Sequence, residues 1–307
     1  MRSRTFSPVY VTSKACLITA ALLVLVLTGC GSIAPRGEPV KVVASIAPLA
    51  DWARRVGGEH VAVELIVPPG LDPRVYEPAP RQRAAIENAD IVLMNGLGVE
   101  PWLEEILEHP SNDRLIVLEM AQFTGPLTER VPRKRYVEPG EPLAGGTRGD
   151  EAWRPAPVYS PYLWLDVGSA MLQIELIAQT LGRADTQRIL DYQQNAVRYN
   201  AELQNLNTLI DHQIDNWRWR SILSTNRFLY PFARYYRVPI LLIGEPVRGT
   251  GPPLAQPLFV DGLAAIDPPR TGSSDRPVVL LNPLGAANYL ELMEAMVDGM
   301  TAAMVSS

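Results

Sequence analysis

The 307-residue chain has only two cysteines, three histidines and no block of basic residues. Each shortage removes a class of function. Cys16 lies inside an apolar N-terminal run and Cys30 follows it closely. If the chain is cut at the end of that run, no disulfide can form within it, and stability must come from a buried core. His60, His109 and His212 fall in unrelated segments and share no ligand spacing, so they read as solvated histidines. The formal net charge of −5, with no basic stripe, describes a poor nucleic-acid binder. Catalytic patterns are missing too. Gly96-Leu97-Gly98 is too short for a nucleotide fingerprint, there is no phosphate-binding lysine loop, and Ser224 has no histidine to serve as its base. The expectation is a binding protein rather than an enzyme.

What is present begins with a targeting segment. Arg2, Arg4 and Lys14 precede the apolar run from Ala15 to Leu27, which is shorter than the ~20 residues a membrane span needs. Leu27-Thr28-Gly29-Cys30 has the form of a bacterial lipobox, where a signal peptidase cuts before the cysteine and the cysteine takes a lipid. The alternative is an uncleaved anchor helix with a chance cysteine. The expected organisation is a signal peptide over 1–29 and a tether over 30–39 with lipid attachment at Cys30. The mature chain would be an extracytoplasmic, membrane-anchored lipoprotein. Loss of Arg2, Arg4 and Lys14 makes it more acidic.

From Val40 onward, apolar β-branched runs alternate with helical spacing. Strands are expected at Val40 to Ser45, Val61 to Val67, Asp90 to Asn95 and Leu115 to Leu118, with helices between them. Residues 122–160 lack periodicity and are crowded with proline and glycine, so they read as a long surface loop. Thr186 to Trp217 runs without glycine or proline, and Leu206, Ile210, Ile214 and Trp217 mark an apolar stripe that Leu190 and Val197 begin. A coiled-coil oligomer helix is the alternative, but the heptads do not persist. The alternation then resumes, with strands at Ser221 to Ser224, Pro239 to Ile243 and Val278 to Leu281, a short helix at Leu258 to Ile266, and a closing helix from Tyr289. The fold expected is α/β, with two Rossmann-like lobes of parallel sheet (40–184 and 218–307) bridged by one long helix (185–217).

The most specific stretch is Val67-Pro68-Pro69-Gly70-Leu71-Asp72-Pro73-Arg74-Val75-Tyr76-Glu77-Pro78. It resembles the first ligand loop of the extracytoplasmic zinc/manganese-type solute-binding proteins, which deliver a metal to an ABC permease. Three further patterns carry the same resemblance. They are Ser160-Pro161-Tyr162-Leu163-Trp164-Leu165-Asp166, the run Ser224-Thr225-Asn226-Arg227-Phe228 leading to Phe232-Ala233-Arg234, and Asn282-Pro283-Leu284 after the last strand. The framing residues Gly70, Pro73, Tyr76, Glu77, Trp164 and Asp166 match the family. In the family the cleft between lobes holds a divalent metal through three histidines and a carboxylate. Here the resemblance places Arg74, Tyr162, Asn226 and Asn282 at those positions, with Thr225 a one-residue alternative to Asn226.

That set is a poor cage for a dication. A guanidinium about 4 Å from a divalent ion meets repulsion on the order of 8 kcal/mol at an effective dielectric near 20, against roughly 10–16 kcal/mol for a good zinc site. Tyrosine ligates only as a phenolate, from a pKa of about 10. Asparagine oxygens suit hard ions weakly. The resemblance implies an ABC permease as partner and a divalent metal as cargo; Cys30 implies the bilayer as a second partner, a monomer is expected, and the residues argue for no bound cofactor. Three roles remain open. One is a metal-type transport component with a degenerate site. Another is a binding protein for a small polar or anionic ligand, unless Arg74 simply pairs with Glu77 or Asp166. The last is a ligand-free surface lipoprotein in adhesion or assembly, using the 122–160 loop and its cluster of Arg130, Arg133, Lys134 and Arg135.

Overall fold

The computed structural model describes residues 37–108, 110, 112–124, 127–131, 154–158, 160–243, 254–263 and 276–305. The leader, Cys30, His109 and Arg133 to Arg135 lie outside the described residues, and the Arg130 side chain is not described either. The first sheet contains β1 (Val40–Ala44), β2 (Val61–Leu65), β3 (Ile91–Met94) and β4 (Ile116–Glu119), all parallel, in the order β2-β1-β3-β4. The central strands β1 and β3 are covered on both faces. Val42, Ala44, Ile91 and Leu93 enter one apolar cluster, and Val43, Val92 and Met94 enter another. This double burial is why these strands read as apolar runs, interrupted only by the exposed Lys41 of β1, rather than as alternating ones.

Helix α1 (Ala47–Gly57) follows β1 and buries Leu49, Trp52, Ala53 and Val56. It stops at Gly57-Gly58, where Gly58 takes φ +56°, a conformation that side chains resist. Helices α2 (Pro80–Glu87) and α3 (Pro101–Leu107) complete the first lobe's crossovers. Helix α4 (Val167–Ala184) starts at Asp166, whose side chain accepts the Ser169 N–H at 2.9 Å. After one 3-10 turn, α5 (Ile189–Asp215) packs against α1, α4 and the closing helix α7 (Tyr289–Val305). It therefore touches helices of both lobes, as a bridge should.

The second sheet holds β7 (Ile222–Ser224), β8 (Ile240–Leu242), β9 (Leu258–Asp261) and β10 (Val278–Leu281), again all parallel, in the order β10-β9-β7-β8. Helix α6 (Tyr230–Tyr235) follows β7. In each lobe the first strand is flanked by the second on one side and the third on the other, with the fourth beyond. The two lobes thus repeat one doubly wound pattern.

Three expectations need correction. Leu258 to Asp261 is a strand, not the start of a helix. Leu258, Phe259 and Val260 are buried between β7 and β10, and this pairing overrides helical spacing. Leu190 and Val197 are exposed, at 69% and 72%. The buried stripe of α5 is instead Tyr192, Ala196, Tyr199, Leu203, Leu206 and Ile210. The tyrosines can be buried because their hydroxyls reach acids. Tyr199 donates to Asp51 at 2.8 Å, and Tyr192 donates to Asp185 at 3.2 Å. Finally, part of the 122–160 segment is regular: β5 (Leu127–Val131) pairs antiparallel with β6 (Arg154–Val158). Pro155 and Pro157 hid β6, since proline is tolerated only at a sheet edge, and a two-stranded ribbon has no interior.

Candidate interlobe binding site

In doubly wound sheets the binding crevice lies beyond the carboxyl ends of the strands, where the strand order reverses. In the first lobe that point lies between β1 and β3. Glu100 is fully buried there. Its carboxylate accepts the Ser45 hydroxyl, the Asn95 N–H at 2.8 Å and the Gly96 N–H at 3.1 Å. Burial pushes Glu100 up to about 7 despite those three donors. Sequence reading assigned Glu100 no role. In the second lobe the switch point lies between β7 and β9, and Asp261 closes β9 there.

The loop after β2 is fixed on several sides. Gly70, at φ +86°, donates its N–H to Leu284 of the opposite lobe at 2.7 Å. The Trp102 indole donates to the Pro73 carbonyl at 2.8 Å. The Tyr76 hydroxyl donates to Gln82 at 3.1 Å, and Gln82 anchors itself on the Ile66 carbonyl. Within this frame Asp72 starts a 3-10 turn. Its Oδ1 accepts the Arg74 backbone N–H at 3.0 Å.

Arg74 does pair with an acid, but with Asp72 rather than Glu77 or Asp166. Its Nε lies 2.8 and 3.1 Å from the two carboxylate oxygens, and one Nη lies 2.7 Å from Oδ2. This is the forked geometry that guanidinium and carboxylate favour. Burial opposes the charge on Asp72, but the hydrogen bonds and charge of Arg74 outweigh it and hold the carboxyl below its usual range. Arg74 is driven higher by the Asp72 hydrogen bond, against its own partial burial. Tyr162, Asp72 and Asp261 add to that rise through charge, so all three lie within electrostatic reach of the guanidinium. Glu77 is exposed, and Asp166 is committed to capping α4.

Tyr162 is buried, and its hydroxyl donates to Oδ2 of Asp261. Its ring packs on Trp164 and Phe228. The segment carrying it is stitched to both lobes. Asn95 of the first lobe donates to the Pro161 carbonyl at 2.9 Å, and the Trp164 indole donates to the Pro283 carbonyl at 2.6 Å. Burial, followed by the charge of Asp261, raises the Tyr162 phenol above its ordinary value, so it remains a neutral donor. Asn226 and Asn282 each turn their carbonyl oxygen to their own loop, accepting from Phe228 N at 2.9 Å and Leu284 N at 3.0 Å. Thr225 is used through its backbone, which donates to Phe259.

The structure adds Asp261, which sequence reading missed. It is 1% exposed, and its other oxygen accepts the Leu263 N–H at 3.0 Å. The signal was an acid closing the apolar run Leu258 to Val260, obscured by the expected helix. His60 lies 3.8 Å from Asp191, away from the cleft, and His212 lies on α5. Among the described residues there is no group of three or more His, Cys, Asp or Glu side chains able to hold a metal ion.

Two doubly wound parallel lobes spanned by a long helix, with polar side chains gathered where the lobes meet, define the architecture of a two-lobed solute-binding protein. The chain belongs to the ZnuA family, "zinc-uptake complex component A periplasmic", whose model matches residues 42–258. The manganese-binding lipoprotein MntA of Halalkalibacterium halodurans is 30% identical over 206 residues, covering 66% of this chain and 60% of the relative. MntA of Bacillus subtilis is 26% identical over 183 residues, covering 59% and 53%. The matched region thus spans only 60% and 53% of these relatives' lengths. The manganese ABC transporter substrate-binding lipoprotein PsaA of Streptococcus mitis is 26% identical over 243 residues, 75% of this chain and 71% of PsaA. Among solved structures, a zinc-bound deletion mutant of ZnuA aligns with TM-score 0.66 at 24% identity, over 88% of this chain and all of that one. Zinc-bound AdcA of Streptococcus pneumoniae aligns with TM-score 0.63 at 18% identity, over 88% and 59%. At these identities the structures speak for the fold alone.

Proposed function

We propose that this chain is the extracytoplasmic solute-binding component of a metal-type ABC transport system, with a cleft that no longer cages a divalent ion. It has no catalytic role in this reading. Residues 1–29 are its signal peptide, 30–39 its tether, and Cys30 its lipid attachment to the bilayer. Residues 40–184 and 218–307 form its lobes, and 185–217 its bridge. It works as a monomer with an ABC permease. The stiff bridge limits the lobes to small rotations rather than wide hinge closure.

The observation that carries the altered-cleft reading is the state of the four candidate positions. Arg74 is forked onto Asp72, Tyr162 donates to Asp261, and the oxygens of Asn226 and Asn282 accept N–H groups of their own loops. A dication entering there would meet a fixed positive charge and a neutral phenol. A small anion is less favoured than the sequence suggested, because Asp72 and Asp261 oppose it.

Equilibrium dialysis of the purified full-length protein against zinc and manganese tests the reading. No uptake at micromolar metal is expected. Stoichiometric uptake would restore an ordinary metal carrier. Co-purification with the permease tests the transport role, and mass spectrometry of the Cys30 peptide tests the anchor.

A further inference from the structure

We infer that Asp51 is a positioning residue for the cleft. Its carboxylate pins the bridge and the second lobe to the first, and the pin reaches the cleft loops through Tyr289 and Trp164. The inference stands on the fold, and it holds whether or not the cleft takes an ion.

Three helices meet at one oxygen. Asp51 lies on α1 of the first lobe and is 9% exposed. Its Oδ2 accepts the hydroxyl of Tyr199, on the bridging helix α5, at 2.8 Å. The same oxygen accepts the backbone N–H of Tyr289, the first residue of α7 in the second lobe, at 3.1 Å. Tyr199 and Tyr289 are both buried, so water is a poor substitute for either bond. A carboxylate suits that place, because the first N–H groups of a helix lack partners within it and carry the positive end of its dipole. Capping alone does not explain it. Asn288 already serves the start of α7 by accepting the Leu290 N–H at 2.9 Å. What Asp51 adds is the link from α7 to α1. Its neighbour Trp52 packs edge-on to Tyr289 beside that link, with ring centroids 5.1 Å apart.

Tyr289 is held at both ends. Its hydroxyl donates to the Trp164 carbonyl at 2.7 Å. The Trp164 indole donates to the Pro283 carbonyl at 2.6 Å, and the next residue, Leu284, accepts the Gly70 N–H at 2.7 Å. Leu284 in turn donates to Asn282 at 3.0 Å. Gly70 shares its loop with Arg74, so this path joins the loops of two candidate positions. Rotating the second lobe on the first must either break the Asp51 bonds or turn about them. The meeting of the two cleft loops is therefore set at a residue that is none of the four candidate positions.

Amide hydrogen exchange of the full-length protein, read by NMR, tests this in the wild type, Asp51→Ala, Tyr289→Phe and Leu203→Ala. The last is the control, because it opens a cavity on α5 and touches none of these bonds. Asp51→Ala should speed exchange about tenfold or more at both the Tyr289 and Gly70 amides, beyond any change at Val92 inside the first sheet, which follows global stability. Tyr289→Phe cuts the path one step later. It should speed Gly70 by a similar factor and leave the Tyr289 amide protected. Leu203→Ala should move Gly70 only as much as Val92. The inference is overturned if Gly70 accelerates no more than Val92 in either Asp51→Ala or Tyr289→Phe. If Asp51→Ala does not fold, Tyr289→Phe carries the test alone. Metal dialysis is read separately: uptake of zinc or manganese would remove the altered-cleft reading and leave these exchange rates standing, and the reverse also holds.

Discussion

Removing a single oxygen, in Tyr162→Phe, probes the junction between the lobes. The Tyr162 hydroxyl donates to one oxygen of Asp261, and the Leu263 N–H serves the other at 3.0 Å. The carboxylate is 1% exposed, so water cannot replace the lost donor. A hydrogen bond to a charged group is worth about 1.5–3 kcal/mol, and burial of the stranded acceptor favours the upper end. For a chain of this size each kcal/mol moves Tm by about 2–4 °C, which gives a fall of roughly 3–12 °C. Tyr76→Phe is the control. It removes a phenol that bonds a neutral amide at 3.1 Å in a half-buried setting, and should cost only about 0.5–1.5 kcal/mol. Asp261→Asn completes a double-mutant cycle, and the coupling between Tyr162 and Asp261 should reach at least ~1 kcal/mol. The phenol's raised pKa fixes the pH window. The contribution is complete below the unfolded value of about 10 and is lost only above it, so calorimetry near neutral pH reads all of it. Equal losses for the two phenylalanine variants, or a coupling of zero, would refute the buried charged bond.

Glu100 gives a second pH signature. Its folded value near 7 lies above the ordinary carboxylate value of 4.5. The folded state therefore holds a proton that the unfolded state releases first. Stability is full below about pH 4.5 and falls by about 3 kcal/mol as pH rises through 7, a slope that urea titrations should find in the wild type and find flattened in Glu100→Gln. On α5, Leu203→Ala should cost about 2–5 kcal/mol because the leucine is fully buried. Val197→Lys at its 72% exposed site should stay within about 0.5 kcal/mol; equal effects would show that the stripe is misplaced. Gly70→Ala puts a side chain at φ +86° and should cost about 1–2 kcal/mol, seen as a lower urea midpoint with unchanged slope.

The architecture was legible where burial is two-sided. β1 and β3 announce themselves because both faces are covered and every residue but the exposed Lys41 is apolar. β9 was missed for a related reason. Its four residues have no alternation, and only pairing with β7 and β10 decides between helix and strand. The start of the α5 stripe was misread because apolar side chains were assumed to lie inside, while Leu206, Ile210 and Trp217 are buried as expected. Tyr192 and Tyr199 took those places once their hydroxyls met Asp185 and Asp51, partners that only the folded chain supplies. The framing of the site was legible because Gly70, Pro73, Trp164 and Asp166 act locally, through a positive φ, a turn, an indole bond to Pro283 and a helix cap. Its electrostatics were not. Asp261 lies far from Asp72 in sequence, so nothing local shows that the two acids share one space with Arg74.

That shared space makes the four replacements intelligible as one change. Asp72 and Asp261 are two carboxylates in partly or fully buried settings, each unfavourable without a partner. An arginine at position 74 returns one positive charge at a fixed place and forks onto Asp72. A tyrosine at position 162 brings a hydroxyl to Asp261, the acid the fork does not reach. An asparagine rather than an aspartate at position 282 avoids a third carboxylate for which no cation remains, and keeps the turn by accepting the Leu284 N–H. Asn226 likewise holds its turn through Phe228 without adding charge. Together they leave each acid with a partner, Asp72 in an ion pair with Arg74 and Asp261 in a hydrogen bond from Tyr162.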